Sequence, residues 1–391
     1  MKRVLFAGVI FLALISGSLL WAQIPPPEDP SKGARLFVSK GCVKCHALKG
    51  EGGKVGPDLG KIDLGDTQLE LATKLLNHIP SMIVGIERAK MIKPTLTGEE
   101  LTQISAYLYF LKFFDEPGNE SRGKYLFTEK GCNRCHPPAG KGWQGAPGLD
   151  EFPQNISPVF ISQAIWNHGP DMIAQMVKLG IKWPEFKETE MMDILEYIRT
   201  NARGPREVAY VTPGNPRQGK EIFFSKGCIR CHAIRGKGGK EGGDLGEKSR
   251  RLYKSLTQIA SSMWNKGPTV LAKMAQTQTG IPKFTSKEMA DLMAYLYFLH
   301  FVDESGNPSR GKKMFQEKGC SKCHGPDGKG EAMQIDLSKY EKASNPMEVV
   351  AGIWNHGEEI EKAMGEKGIA WPRFETGELS DLLKFIQTSK K

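Results

Sequence analysis

No cysteine of this 391-residue chain lies outside four short pentads, and that absence removes several classes of protein. A disulfide scaffold would scatter its thiols at unequal spacings, and here none is left over to staple loops. With no cysteine near Ala22, no lipid attaches at the end of the leader. Beyond the N-terminal residues, no stretch is long and apolar enough to cross a bilayer. Basic residues are not concentrated either. The formal charge is +10, but the basic clusters are as short as Lys237-Gly-Gly-Lys240 and Lys390-Lys391. A nucleic-acid-binding surface would need a denser patch.

The pentads read Cys42-Val43-Lys44-Cys45-His46, Cys132-Asn133-Arg134-Cys135-His136, Cys228-Ile229-Arg230-Cys231-His232 and Cys320-Ser321-Lys322-Cys323-His324. Structural zinc needs four ligands, and each pentad offers two thiols with a histidine fixed beside the second. A redox Cys-x-x-Cys sits in a strand-rich setting, one or two copies per chain. Cys-x-x-Cys-His is instead the signature of c-type haem attachment. Cys42, Cys45, Cys132, Cys135, Cys228, Cys231, Cys320 and Cys323 are then thioether anchors for four haem c groups. His46, His136, His232 and His324 become axial ligands to the four irons. Eight haem propionates would roughly cancel the basic excess, which reads as a solvated surface or as a rim steering an acidic redox partner.

Lys2 and Arg3 followed by the apolar run Val4 to Leu20 read as a secretory leader covering residues 1–22. An uncleaved anchor is the other reading, since 17 residues stand at the lower edge of a spanning helix. Either places the body of the chain outside the cytoplasm, in the periplasm.

The first cysteines stand at 42, 132, 228 and 320, steps of 90, 96 and 92 residues. That period suits tandem small domains, each too small to bury much core without a staple such as a covalent haem. The expected domains are 31–116, 117–204, 215–302 and 303–391. In each, Gly33, Gly123, Gly219 or Gly311 precedes an aromatic by four residues, and a helix there runs into Lys-Gly-Cys. Asp29-Pro30, Asn215-Pro216 and Asn307-Pro308 offer N-caps, and Gly41, Gly131, Gly227 and Gly319 offer left-handed C-caps. A second helix carries Tyr107, Tyr197, Tyr295 or Phe385, with capping boxes Thr97/Glu100 and Thr285/Glu288. The bare glycine predicts a close crossing of these two helices. Repeats one and three share Ala-Tyr-Leu-Tyr-Phe-Leu, and repeats two and four share Ile-Trp-Asn-His-Gly, so the chain is a doubled two-domain unit. The linker from Ala202 to Pro216 is expected to be semi-extended.

This order of helix, pentad, distal ligand and helix resembles class I cytochrome c along nearly the whole chain after the leader. The resemblance implies an all-α fold, with four small helical domains each wrapped round one covalent haem. It also implies a proline-loop carbonyl that accepts from the proximal histidine. Gly56-Pro57-Asp58-Leu59 matches that loop and Ala146-Pro147-Gly148-Leu149 nearly does, while Gly243 and Ile335 replace the proline. In many family members the distal methionine directly precedes a proline, but Lys93, Trp183, Ile281 and Trp371 stand there.

Eight residues before those prolines stand Ile86, Met176, Met274 and Met364. Repeat three has neither histidine nor methionine at the alternative helical positions, so Met274 is its ligand, and Met176 and Met364 follow by repetition. Methionine at this position raises the haem potential. Repeat one is irregular: Met82 lies one turn earlier and Met91 five residues later, and Met82 is the choice. His78, His168 and His356 form a rival, lower-potential set. Pro80, Pro170 and Pro268 predict that a new helix starts inside this segment.

The functional expectation is a periplasmic electron carrier between respiratory redox partners, cycling Fe(II) and Fe(III), without catalysis of its own. It takes protein redox partners, with a membrane respiratory complex among them, and neither nucleic acid nor a small-molecule substrate. Two alternatives stand beside it. One is a multihaem peroxidase or nitrite reductase with an open haem. The other is a fixed subunit of a membrane respiratory complex.

Overall fold

The structure is a computed structural model that describes residues 30–112, 115–187, 189–208, 213–247, 255–301, 305–330, 336–337 and 345–389. The leader, Ile335 and part of the Ala202–Pro216 linker lie outside the described residues. Repeat one contains α1 (Pro30–Ser39), the hairpin β1 (Ala47–Leu48) and β2 (Glu51–Gly52), α2 (Gln68–Arg88) and α3 (Gly98–Phe110). Repeat two contains α4 (Glu120–Glu129), α5 (Pro158–Lys178) and α6 (Glu190–Asn201). Repeat three contains α7 (Pro216–Ser225), β3 (Ala233–Ile234), β4 (Lys237–Gly238), α8 (Leu256–Gln276) and α9 (Ser286–Phe298). Repeat four contains α10 (Pro308–Glu317), α11 (Ser321–His324), α12 (Pro346–Asn355), α13 (Gly357–Glu366) and α14 (Glu378–Thr388). The fold is all-α apart from the two small hairpins.

The first and last helices of each repeat cross where the sequence places a glycine. A Cβ on Gly33 would stand 2.1 Å from the Gln103 carbonyl oxygen and 2.5 Å from Tyr107 Cβ. The same clash, at 1.9 to 2.1 Å, faces Gly123, Gly219 and Gly311 against the carbonyls of Asp193, Asp291 and Asp381. Asn215 accepts from Arg217 N and Gln218 N, and Asn307 from Ser309 N and Arg310 N, so these two expected N-caps form, while Asp29 lies outside the described residues. Both capping boxes close, and Gly41, Gly131, Gly227 and Gly319 have φ between 78° and 82°. Each helix therefore stops two residues before a left-handed glycine, which delivers the pentad.

The expectation for Pro80, Pro170 and Pro268 is overturned. α2, α5 and α8 run straight through them, and it is the proline-free segment of repeat four that divides, at His356. A proline inside a helix strips the carbonyl four residues back of its donor. For Pro80 that carbonyl belongs to Leu76, and it accepts from Trp371 Nε1 of repeat four at 2.9 Å. For Pro268 it belongs to Trp264, and it accepts from Trp183 Nε1 of repeat two at 3.2 Å. A neighbouring repeat thus supplies the missing donor.

Those bonds belong to a pairing that does not follow chain order. Repeat one packs on repeat four, and repeat two on repeat three. Asn77, Asn167, Asn265 and Asn355 each clasp one residue across the interface, taking its N–H on Oδ1 and giving Nδ2 to its carbonyl. The partners are Phe374, Phe284, Phe186 and Leu96, with all eight bonds at 2.8 to 2.9 Å. Trp264 Nε1 donates to Pro184 O and Trp354 Nε1 to Pro94 O, each at 2.8 Å. Trp183 stacks on Trp264 with centroids 4.6 Å apart, and Gly169 and Gly267 let α5 and α8 cross closely over Leu271 and Ile165.

Repeat one also meets repeat three. The Tyr109 and Tyr297 rings lie 4.7 Å apart, and Tyr297 Oη donates to the Tyr109 carbonyl. Asp115, in the linker after repeat one, accepts from the backbone N–H and the hydroxyl of Thr257 at the start of α8.

Candidate functional site

Each pentad opens on the left-handed glycine and closes by a bond from the histidine N–H to the first cysteine carbonyl, at 2.9 to 3.0 Å. In the first three repeats the residues between are a single 3₁₀ turn, and in the fourth they begin α11. The local geometry brings two thiols to one side of a turn whose last residue is the histidine. All eight cysteines are unpaired and half-buried.

Burial pushes the thiols of Cys42, Cys132, Cys228 and Cys320 up to about 11. That is the opposite of what a reactive thiolate or a metal-bound thiolate requires. Among the described residues, no group of three His, Cys, Asp or Glu side chains converges on a metal-sized point. The surroundings suit cysteines that end as uncharged thioethers.

The histidines are oriented by the loops that the family resemblance predicts. His46 Nδ1 bonds the Pro57 carbonyl at 3.0 Å and His136 Nδ1 the Pro147 carbonyl at 2.9 Å. Each bond fixes the tautomer and leaves on Nε2 the free lone pair that a metal ligand needs. In repeat three, burial lowers the pKa of His232, partly offset by the Gly243 and Gly242 backbone, yet its Nδ1 makes no hydrogen bond of ordinary geometry. Glycine is required where these loops press on the ring. A Cβ on Gly56 would stand 2.4 Å from His46 Cε1, and one on Gly242 2.5 Å from His232 Cε1.

Against the cores that Cys42 and Cys132 abut stand further apolar side chains left half open, which a packed core would bury. In repeat one these include Val43, Leu48, Leu59, Met82 and Ile86, and in repeat two Phe152, Phe160, Ile161 and Met172. A large flat apolar group held by the cysteines would cover them. The residues present fit haem.

Met176, Met274 and Met364 are half-buried and occupy one position of the fold. Each carbonyl accepts from the N–H five residues on, in Ile181, Thr279 and Ile369, at 2.8 to 2.9 Å. In repeat one the same bond runs from Met91 N to Ile86 O at 3.0 Å, so Ile86 holds the place of the other methionines. Met82 packs against the core shared with repeat four, and the Met91 methyl lies 3.2 Å from where a Cβ on Gly41 would be. His78, His168 and His356 are exposed, because the neighbouring asparagine of each takes the interface. The residues before the prolines face the partner repeat instead of a haem: Trp183 and Trp371 as described, and Lys93 through bonds to Trp354 O and Asn355 O and an ion pair with Glu358.

The description "Cytochrome c" matches this sequence four times, over residues 30–112, 120–202, 216–299 and 308–390. The chain belongs to the cytochrome c family. Its cofactors are four covalently attached haem c groups, carried by the cysteine pairs of the four pentads. Among curated proteins it is similar to a nitric oxide reductase subunit of Paracoccus denitrificans, 29% identical over 125 residues, covering 27% of this chain and 82% of that protein. It is also similar to the cbb3-type cytochrome c oxidase subunit FixP of Rhizobium meliloti (strain 1021), 25% identical over 158 residues, covering 38% of this chain and 47% of that protein. No solved structure matches. The role that follows for a multihaem cytochrome c is electron transfer.

Sequence reasoning missed the asparagine clasp, although the asparagine stands in all four repeats directly before His or Lys. It missed a second regular feature as well. Lys40, Lys130, Lys226 and Lys318, each two residues before a pentad, pair with Glu100, Glu190, Glu288 and Glu378 at 2.7 to 3.0 Å. This bridge ties the lip of every haem site to the start of the last helix.

Proposed function

We propose that this cytochrome is a periplasmic carrier that moves electrons between respiratory redox partners, one at a time, without catalysing a reaction of its own. His46, His136, His232 and His324 would hold the four irons, with Met176, Met274, Met364 and Met82 as the second protein ligands. Bound haem supplies the Fe(II)/Fe(III) couple, and the protein's residues orient it, cover its faces and set its potential. The observation that carries this reading is the shared backbone position of Met176, Met274 and Met364, each half-buried at the end of the helix between pentad and last helix. A filled sixth position favours reversible transfer over ligand chemistry.

A redox titration followed by near-infrared and magnetic spectra tests it. The expected result is low-spin iron throughout with thioether ligation, and reduced protein that binds carbon monoxide slowly or not at all. Carbon monoxide binding at every haem would sink the reading.

A second reading is favoured by the two relatives, whose names make them subunits of a nitric oxide reductase and of a cbb3-type oxidase. Here the chain would be a fixed subunit of a membrane respiratory complex. Size-exclusion of protein from its native source separates the two: a carrier elutes at its own mass, a subunit with its complex.

A further inference from the structure

The packing of the four repeats sets an order in space that differs from their order in the chain. Repeat four touches repeat one, repeat one touches repeat three, and repeat three touches repeat two. We propose that electrons travel in that order, four–one–three–two, with repeats four and two as the two ends of the path. This rests on the electron-transfer reading of the haem sites and adds the route.

Three observations carry it. The first is that the interfaces are built from the helices that carry Met82, Met176, Met274 and Met364 and from the chain that follows them. α2, α5, α8 and α13 bear the distal residues, and the strand of chain after each carries the clasped Leu96, Phe186, Phe284 and Phe374.

The second is apolar continuity. Cys42 packs against the same core as Trp354 and Trp371 of repeat four. Val349 joins that core to the one holding Cys320. Cys132 and Cys228 abut a single core that also contains Tyr109 and Tyr297. Packed atoms therefore connect the attachment sites of repeats four and one, and those of repeats three and two.

The third is the junction in the middle. Tyr109 of repeat one lies on Tyr297, Phe298 and Phe301 of repeat three, with centroids 4.5 to 5.5 Å apart. Gln68 N also donates to the Phe301 carbonyl at 3.2 Å.

Electron tunnelling through protein weakens exponentially with distance and is better through packed atoms than through solvent. Repeats that share a core therefore exchange electrons faster than repeats joined by a tether. Each step moves one electron: one iron goes from ferrous to ferric, the next from ferric to ferrous, and no proton or bond is exchanged. The donor protein reduces one end and the acceptor oxidises the other.

The test uses the full-length holoprotein with a ruthenium polypyridyl photosensitiser on Lys362→Cys, an exposed position in repeat four. A flash injects one electron, and transient absorption follows its spread. Met274→His lowers the potential of the repeat-three haem, and loss of one thioether band verifies the exchange. The expected result is unchanged fast equilibration between the haems of repeats four and one, with at least a tenfold slowing of arrival at repeat two. Loss of all fast transfer out of repeat four would overturn the route, because that is the outcome for an electron that follows the chain. Failure to photoreduce any haem would sink the electron-transfer reading itself.

A second readout does not depend on transfer. Lys93 and Glu358 are 3.3 Å apart across the one–four interface, so a zero-length carbodiimide should join them in the holoprotein, seen by peptide mass spectrometry. A linked peptide pair supports the order. Absence of that pair, with the other short Lys–Glu pairs linked normally, overturns it.

Discussion

The indole N–H of Trp371 donates to the carbonyl of Leu76, the group that Pro80 leaves without a partner inside α2. A residue in the last repeat thus repairs a defect that a proline makes in the first, and Trp183 does the same for the carbonyl freed by Pro268. The carbonyls that Pro80 and Pro268 free in α2 and α8 find these donors only when the repeats are paired.

Trp371→Phe keeps most of the buried area and removes the donor. The expected cost is about 1–3 kcal/mol, because the Leu76 carbonyl is left unsatisfied. Adding Pro80→Ala restores a donor within α2 and should recover part of the loss, with a coupling energy above about 0.5 kcal/mol. Guanidinium unfolding of the holoprotein, followed by the haem bands, measures both. Equal losses with and without Pro80→Ala would refute the account.

The asparagine clasp predicts a different pattern. Asn265→Ala leaves both the N–H and the carbonyl of Phe186 without their partner, an expected loss of about 2–4 kcal/mol. Asn265→Asp is isosteric but turns a carboxylate oxygen toward the Phe186 carbonyl, and should cost no less. A merely space-filling asparagine would tolerate Asp well, so thermal melts of the two variants decide the matter.

Much of this architecture was legible in the sequence because it rests on local rules. A glycine with no room for a Cβ, an asparagine before a proline and a Thr-x-x-Glu box each declare a turn or cap within a few residues. Gly219, Asn215 and Thr285 did so correctly. The pentads declared the cofactor, since no other chemistry needs that spacing four times. The pairing of repeats was hidden, because Asn167 and Phe284 stand 117 residues apart and share no local signature. Their proximity depends on how whole domains dock. Pro80 misled for the same reason: its helix-breaking tendency is local, and the tryptophan that offsets it is 291 positions away in the chain.

The four Lys–Glu bridges give the protein a defined acid limit. Burial acts to raise Glu100, Glu190, Glu288 and Glu378, but the bonds each carboxylate accepts, from its lysine and from a backbone N–H, outweigh it. All four are held below the usual glutamate range. A carboxylate depressed in the folded state stabilises above its unfolded value of about 4.3 and loses that contribution as pH falls through the folded value. Stability should therefore fall below about pH 4, and Glu190→Gln should lower stability at pH 7 while flattening the acid slope. Melting temperatures of wild type and variant between pH 7 and pH 3 test this. A constant difference at every pH would contradict it.

The methionines admit a quantitative test. If Met176, Met274 and Met364 each ligate one iron, replacing any one by alanine removes one equal share of the thioether charge-transfer band and opens one haem to carbon monoxide. Replacing one by histidine keeps that haem low-spin but lowers its potential, since a thioether favours the ferrous state more than imidazole does. In repeat one the comparison is between Met82→Ala and Met91→Ala. Met82 on α2 sits one turn before Ile86, which holds the position of the other three methionines, and so lies on the same helix face. Met91 holds the position filled by Ile369 in repeat four, against the glycine turn that leads into the pentad. The expected outcome is loss of a share of the band in Met82→Ala and its retention in Met91→Ala. The reverse would move the ligand of the first haem to Met91 and leave Met82 as core.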